Sequence, residues 1–112
     1  MTIFEKIGAG EIPAKIVYEA EDFFAFHDVR PQAPVHILIV PRRPIPRLAE
    51  AGPDDGPLLG RMMLAVPEIA QAAGVLESGF RVVINNGRDG GESVPHLHIH
   101  LLGGRILGWP PG

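Results

Sequence analysis

The sequence predicts a two-layer α+β domain, with one long helix packed on an antiparallel sheet of about five strands. Three observations carry that expectation. The 112 residues suit one domain, since two cores would each fall below the size that folds readily. Short β-prone runs recur between turn-forming residues. One stretch alone, Leu58, Leu59, Met62, Met63, Val66, Ile69 and Ala70, has the three-and-four spacing of an amphipathic helix.

Taken in order, Thr2 with Glu5 three residues on reads as a capping box for a short first helix. Ile3, Phe4 and Ile7 share one side of it, and Gly8 and Gly10 stop it. Lys15 to Glu19 and Phe23 to His27 read as a hairpin around Glu21-Asp22. Asp28 to Pro34 is a loop, because each proline disfavours helix in the residue before it. Val35 to Val40 is nearly continuous apolar sequence, as befits an interior strand closed by Pro41. Pro44, Pro46 and Pro53 make Arg42 to Asp55 mostly loop. The long helix follows, with Pro67 expected to kink it and Gly74 to end it. Phe80 to Asn85 is a further strand, Asn86 to Ser93 a Gly-rich loop, and Val94 to Leu102 the last strand.

Composition narrows the function. With no Cys, the chain has no disulfide framework, thiolate nucleophile or Cys-ligated zinc, and the reducing cytoplasm is the expected compartment. A net charge of −3, with eight Arg and two Lys scattered except at Arg42-Arg43, argues against wrapping nucleic acid. The first residues lack the layout of a signal peptide, and no apolar run approaches the roughly 18 residues of a membrane span.

The stretch richest in chemistry is His96-Leu97-His98-Ile99-His100-Leu101-Leu102. In a strand, alternation would put the three imidazoles on one face, with Leu97, Ile99 and Leu101 in the core on the other. Three imidazoles in a row are a poor way to build stability, since each titrates near neutral pH and needs partners. The preceding loop can offer consecutive backbone N–H groups to an anion, and Asn85, Gly91 and Ser93 would add an amide, a bare N–H and a hydroxyl. Held there, a phosphate would lie over the imidazole face. His36 opens the interior strand, either as a satisfied buried histidine or as a fourth imidazole that orients the triplet. Asp28 stands at a strand end, where loops place ligand contacts. Phe4, Ile7, Ile12, Phe26 and Val29 read first as core.

The chain resembles the histidine-triad (HIT) family, whose signature is His-x-His-x-His followed by two apolar residues. Within it, the likeness is to the histidine-triad nucleotide-binding branch. The matching segments are EIPAKIVYE at Glu11 to Glu19, AFHDVRPQAPVH at Ala25 to His36, and VPRR at Val40 to Arg43. They continue with DGGESVPHLHIHLLGGR at Asp89 to Arg105 and WPPG at Trp109 to Gly112.

That resemblance implies a HIT-like fold over residues 1–112, five antiparallel strands with two helices, paired as a homodimer. It implies a purine nucleoside phosphoramidase, which cleaves the P–N bond of adenosine or guanosine monophosphate amides through a nucleotidyl-histidine. The alternatives are a dinucleoside polyphosphate hydrolase and a nucleotide-binding regulatory protein. His98 would be the nucleophile, assisted by His100, His96, His36 and Ser93. Asp28 would bind the ribose, and Asn85, Gly91, Ser93 and His100 the phosphate. Phe4, Ile7, Phe26, His27 and Val29 would enclose the purine, and Trp109 would border the leaving-group side of the partner's site. No metal or cofactor is implied, and zinc held by His96, His98 and His100 together would inhibit. Two positions depart from the family pattern: Pro44 where a histidine is common, and Glu92 where a glutamine is common.

Overall fold

A computed structural model describes all residues, Met1 to Gly112. Its elements are α1 (Ile3–Gly8), β1 (Ile16–Glu19), β2 (Phe23–His27), β3 (Val35–Pro41), α2 (Gly56–Ala72), β4 (Phe80–Val83) and β5 (Ile99–Gly103). Two short 3₁₀ turns, Leu48–Glu50 and Pro53–Asp55, lead into α2. The five strands form one antiparallel sheet in the order β1-β2-β3-β5-β4, so β3 is central as its apolar run predicts. No helix is long and apolar enough to cross a membrane.

Strand alternation divides the buried residues between two faces. Phe23, Ala25, Ile37, Ile39, Ile99 and Leu101 face α2 and pack on Leu58, Met62, Val66 and Ile69. Phe24, Phe26, Leu38 and Val40 face the other way and pack on Phe4 of α1. Both faces of β2 and β3 are therefore covered, which corrects the two-layer picture: α1 forms a small third layer. The helix α2 continues through Pro67 because that residue is exposed, so the missing donor falls on the solvent side while Val66, Ile69 and Ala70 stay anchored.

The capping box at Thr2 is complete. Thr2 Oγ1 accepts from the Glu5 N–H (3.1 Å), and Glu5 Oε1 accepts from the Thr2 N–H (2.9 Å). Two readings need correction. Val29, read first as core, is 90% exposed because it sits in the loop beyond β2. The last strand begins at Ile99 rather than Val94: Leu97 N–H donates to the Ile45 carbonyl (2.7 Å), so this stretch crosses to the Pro-rich loop before joining the sheet.

Candidate active site

Although His96 and His98 precede the strand, the three imidazoles lie on one side. Leu97, Ile99 and Leu101 pack in the α2-side core, while Phe4 on the other side meets His96 and His98, and His98 lies against His100. Each has its own partners, and those partners fix where its proton sits. His96 is fully buried, with Nε2 2.7 Å from the Pro41 carbonyl. A carbonyl only accepts, so Nε2 carries the proton and donates. Its Nδ1 then has a lone pair, which accepts from the Thr2 hydroxyl at 2.7 Å. Burial holds the ring's pKa below its ordinary value, against the opposing pull of the Pro41 carbonyl and Glu5. His96 is thus a neutral strut joining α1, the end of β3 and the histidine segment. Thr2→Val removes both the cap acceptor and the donor to His96, and should cost about 1–3 kcal/mol in urea unfolding. Thr2→Ser should restore most of it.

His98 donates Nδ1–H to the carbonyl of His96 at 2.7 Å. In the neutral ring that leaves the lone pair on Nε2, the free nitrogen. The Phe4 ring meets His98 edge to face, with centroids 5.0 Å apart, and meets His96 in the same way at 5.5 Å.

His36 and His100 lie on adjacent strands, on the same face of the sheet. The Gln32 N–H donates to His36 Nδ1 (3.0 Å), so the proton of neutral His36 sits on Nε2. From there it is donated to His100 Nδ1 at 2.9 Å. His100 must then carry its proton on Nε2, and that nitrogen is buried with no hydrogen-bond partner. A backbone amide outside the sheet thereby aims an unsatisfied N–H donor, next to the His98 ring, whose centroid is 4.9 Å away. Burial, then the neighbouring His98 and His36, push the His100 pKa down to about 4, with Asp28 opposing.

Asp28 Oδ1 accepts from the Arg30 N–H (2.8 Å), while Oδ2 lies 3.5 Å from His36 Nε2. A cavity of roughly 710 Å³ opens beside them, lined by Pro13, Ala14, Lys15, His27, Asp28, Val29, Pro31, Pro34 and His36. The Gly-rich loop runs from Asn86 to Ser93. Gly91 takes a φ of +78°, and a Cβ on Gly90 would meet the Asn86 carbonyl at 2.6 Å, so both positions need glycine.

Comparison with known proteins accords with these features. A family model described as the HIT domain matches residues 9–107. The chain belongs to the HIT family. Among HIT relatives, a HIT-like protein of Synechocystis sp. is 53% identical over 111 residues, spanning 99% of this chain and 96% of that protein. The crystal structure of a HIT family hydrolase from Legionella pneumophila Philadelphia 1 superposes with a TM-score of 0.97, at 46% identity and 100% coverage of both chains. A histidine triad nucleotide-binding protein from Candida albicans is similar with a TM-score of 0.82 and 32% identity, over 98% of this chain and 83% of that one.

Against the HIT signature, the structure gathers His36, His98, His100 and Asp28 and turns His96 inward. His27, Asp28 and Val29 line the cavity. Phe4 and Phe26 are buried and touch each other, with Phe4 forming the wall behind His98. Ile7 packs against the same cluster as Phe4 and Phe26 and also borders a depression with Phe24 and Arg42. Asn85 is half-buried just beyond β4. Ser93 is exposed between Glu92 and Val94. The exposed Trp109 ring lies near the Arg81 guanidinium (5.9 Å), which also donates to the Leu107 and Gly108 carbonyls. Sequence reasoning missed Lys15 in the cavity wall, Thr2 as a partner of His96, Gln32 as the group that sets the His36 tautomer, and Arg47 as the partner of Glu92.

Chelation of zinc by His96, His98 and His100 together does not suit this geometry, because both nitrogens of His96 are taken. Asp28, His36 and His100 do bring one ligand atom each within 4.8 Å of one another. A metal-bound histidine, however, ordinarily donates from its second nitrogen. Here that nitrogen of His36 faces the Gln32 N–H, so a metal on Nε2 would require a ring with no proton at all. Gln32, His36 and His100 instead form a hydrogen-bond relay.

Three neutral buried imidazoles also set a pH dependence. Burial holds His36, His96 and His100 below 6.5, so the unfolded chain binds protons that the folded one refuses. Stability should be full above about pH 6.5 and should fall as pH drops toward 4. His100, held at about 4 against an ordinary 6.5, contributes on the order of 3 kcal/mol to that loss. Urea unfolding from pH 7.5 to 4 measures it, and a flat profile would contradict neutral burial.

Proposed function

We propose that the protein is a purine nucleoside phosphoramidase of the nucleotide-binding branch of the HIT family, acting in the cytoplasm. The observation that carries this reading is the pairing of a free lone pair on His98 Nε2 with an orphaned donor on His100 Nε2. A phosphoryl group between them would meet a nucleophile and an electrophilic partner at once. His98 Nε2 attacks the phosphorus, the P–N bond breaks, and the amine leaves with a proton drawn from solvent and passed through the hydroxyl of the exposed Ser93. Water then attacks the nucleotidyl-His98, releasing the nucleoside monophosphate and restoring the imidazole. Negative charge on the phosphoryl oxygens is met by His100 Nε2–H and by the loop with Asn85 and Gly91. Asp28, with spare acceptor capacity on Oδ2, takes the ribose hydroxyls, and the cavity beside it takes the base. The relatives support the broader class: one named a hydrolase and another named nucleotide-binding share this fold.

In this reading the protein works as a homodimer, with the 82% exposed Trp109 reaching the leaving-group side of the partner's site. Turnover of an adenosine phosphoramidate, compared with diadenosine polyphosphates with and without a chelator, tests the proposal. The expected result is preference for the phosphoramidate, untouched by the chelator. Preference for the polyphosphates, or nucleotide binding without turnover, would sink it.

A further inference from the structure

We propose that Arg47 and Glu92 are positioning residues that hold the Gly87–Ser93 loop in shape for the substrate phosphate, with Arg47 offsetting the carboxylate's charge. This rests on the phosphate-loop reading above. Arg47 Nε donates to Glu92 Oε1 at 2.9 Å and Nη2 to Oε2 at 3.1 Å, a fork-to-fork pair. Glu92 Oε1 also accepts from the Gly87 N–H (2.9 Å), and the Glu92 N–H donates to the Gly87 carbonyl (3.1 Å). Side chain and main chain of one residue therefore close the loop at both ends. A second tie comes from the same 3₁₀ segment, where the Ala49 N–H donates to Asn86 Oδ1 at 2.8 Å. Arg88 to Gly91, between these ties, are all exposed.

Electrostatics gives the pair its purpose. The Glu92 side chain is only 13% exposed. A bare carboxylate there would repel a phosphate entering the loop. Bound to Arg47, whose Nη1 also donates to the more exposed Glu50, it keeps its acceptors for Gly87 while its charge is partly offset. The hydrogen bonds from Arg47, then Gly87, hold its carboxyl below the usual range, so the pair stays ionised at neutral pH. The departure at Glu92 is thus compensated by the arginine at 47, outside the Gly-rich loop.

Three variants of the full chain test this: Arg47→Ala, Glu92→Gln, and both together. Calorimetry reads their affinity for adenosine monophosphate and for adenosine, and amide exchange reads residues 87–93 without ligand. Arg47→Ala should weaken the monophosphate about tenfold, leave adenosine within about twofold, and speed loop exchange about tenfold. The double variant should recover most of the monophosphate affinity, since the glutamine still accepts from Gly87 and carries no charge. Equal losses in Arg47→Ala and the double variant would overturn the charge role, and adenosine falling in parallel would overturn the positioning role. If the unaltered protein binds neither compound, the phosphate reading fails on its own. Loop exchange then still decides whether the pair holds the loop, and unchanged exchange in Arg47→Ala would overturn that as well.

Discussion

His98→Ala is expected to lower turnover of an adenosine phosphoramidate by roughly four to six orders of magnitude. In the proposed mechanism the nucleophile has no substitute. His96 spends both nitrogens on Pro41 and Thr2, and His100 presents a proton where a lone pair would be needed. Affinity for adenosine monophosphate should survive, because the cavity beside Asp28, the loop and the His36–His100 relay are all intact. Steady-state kinetics and calorimetry on the same preparation check both halves. Near-normal turnover would mean that another group attacks phosphorus.

His100→Ala should cost about 10²–10³ in turnover, the scale of losing one aimed donor to developing charge. Its nitrogen is buried and unsatisfied in the free protein, a state that costs stability unless a ligand completes it. The relay adds a graded second test. His36→Leu leaves His100 in place but removes the donor that fixes its tautomer, so it should cost about tenfold. If His36→Leu falls as far as His100→Ala, His36 acts directly on the substrate. If it costs nothing, the tautomer is set elsewhere. Single-turnover kinetics separate these outcomes from slow product release.

Much of the scaffold was legible in the sequence because its signals are local. FFAFH at Phe23 to His27 reads as a hairpin strand and VHILIV at Val35 to Val40 as an interior one, and both strands are there. The capping box at Thr2 and the spacing from Leu58 to Ala70 located both helices. The candidate site was only half legible. Alternation placed the three histidines on one face, and they lie there, but it says nothing of what each one bonds to. What turns His96 inward lies far away in sequence, at Thr2, Pro41 and, through Leu97, Ile45. Gln32 acts through its backbone N–H, which its side chain does not advertise. Arg47 and Glu92 are 45 positions apart, and opposite charges at that distance carry no pattern. The departure at Glu92 marked one end of the pair, and the fold was needed to supply the other.

The attack by His98 Nε2 is tested most directly by trapping the intermediate. The protein is mixed with adenosine phosphoramidate, quenched within the first turnover, digested and mapped by mass spectrometry. An adenylyl group should appear on His98, at a rate no slower than product formation, and should vanish in His98→Ala. An adduct on His96 or His100, or none while product forms in a burst, would contradict it.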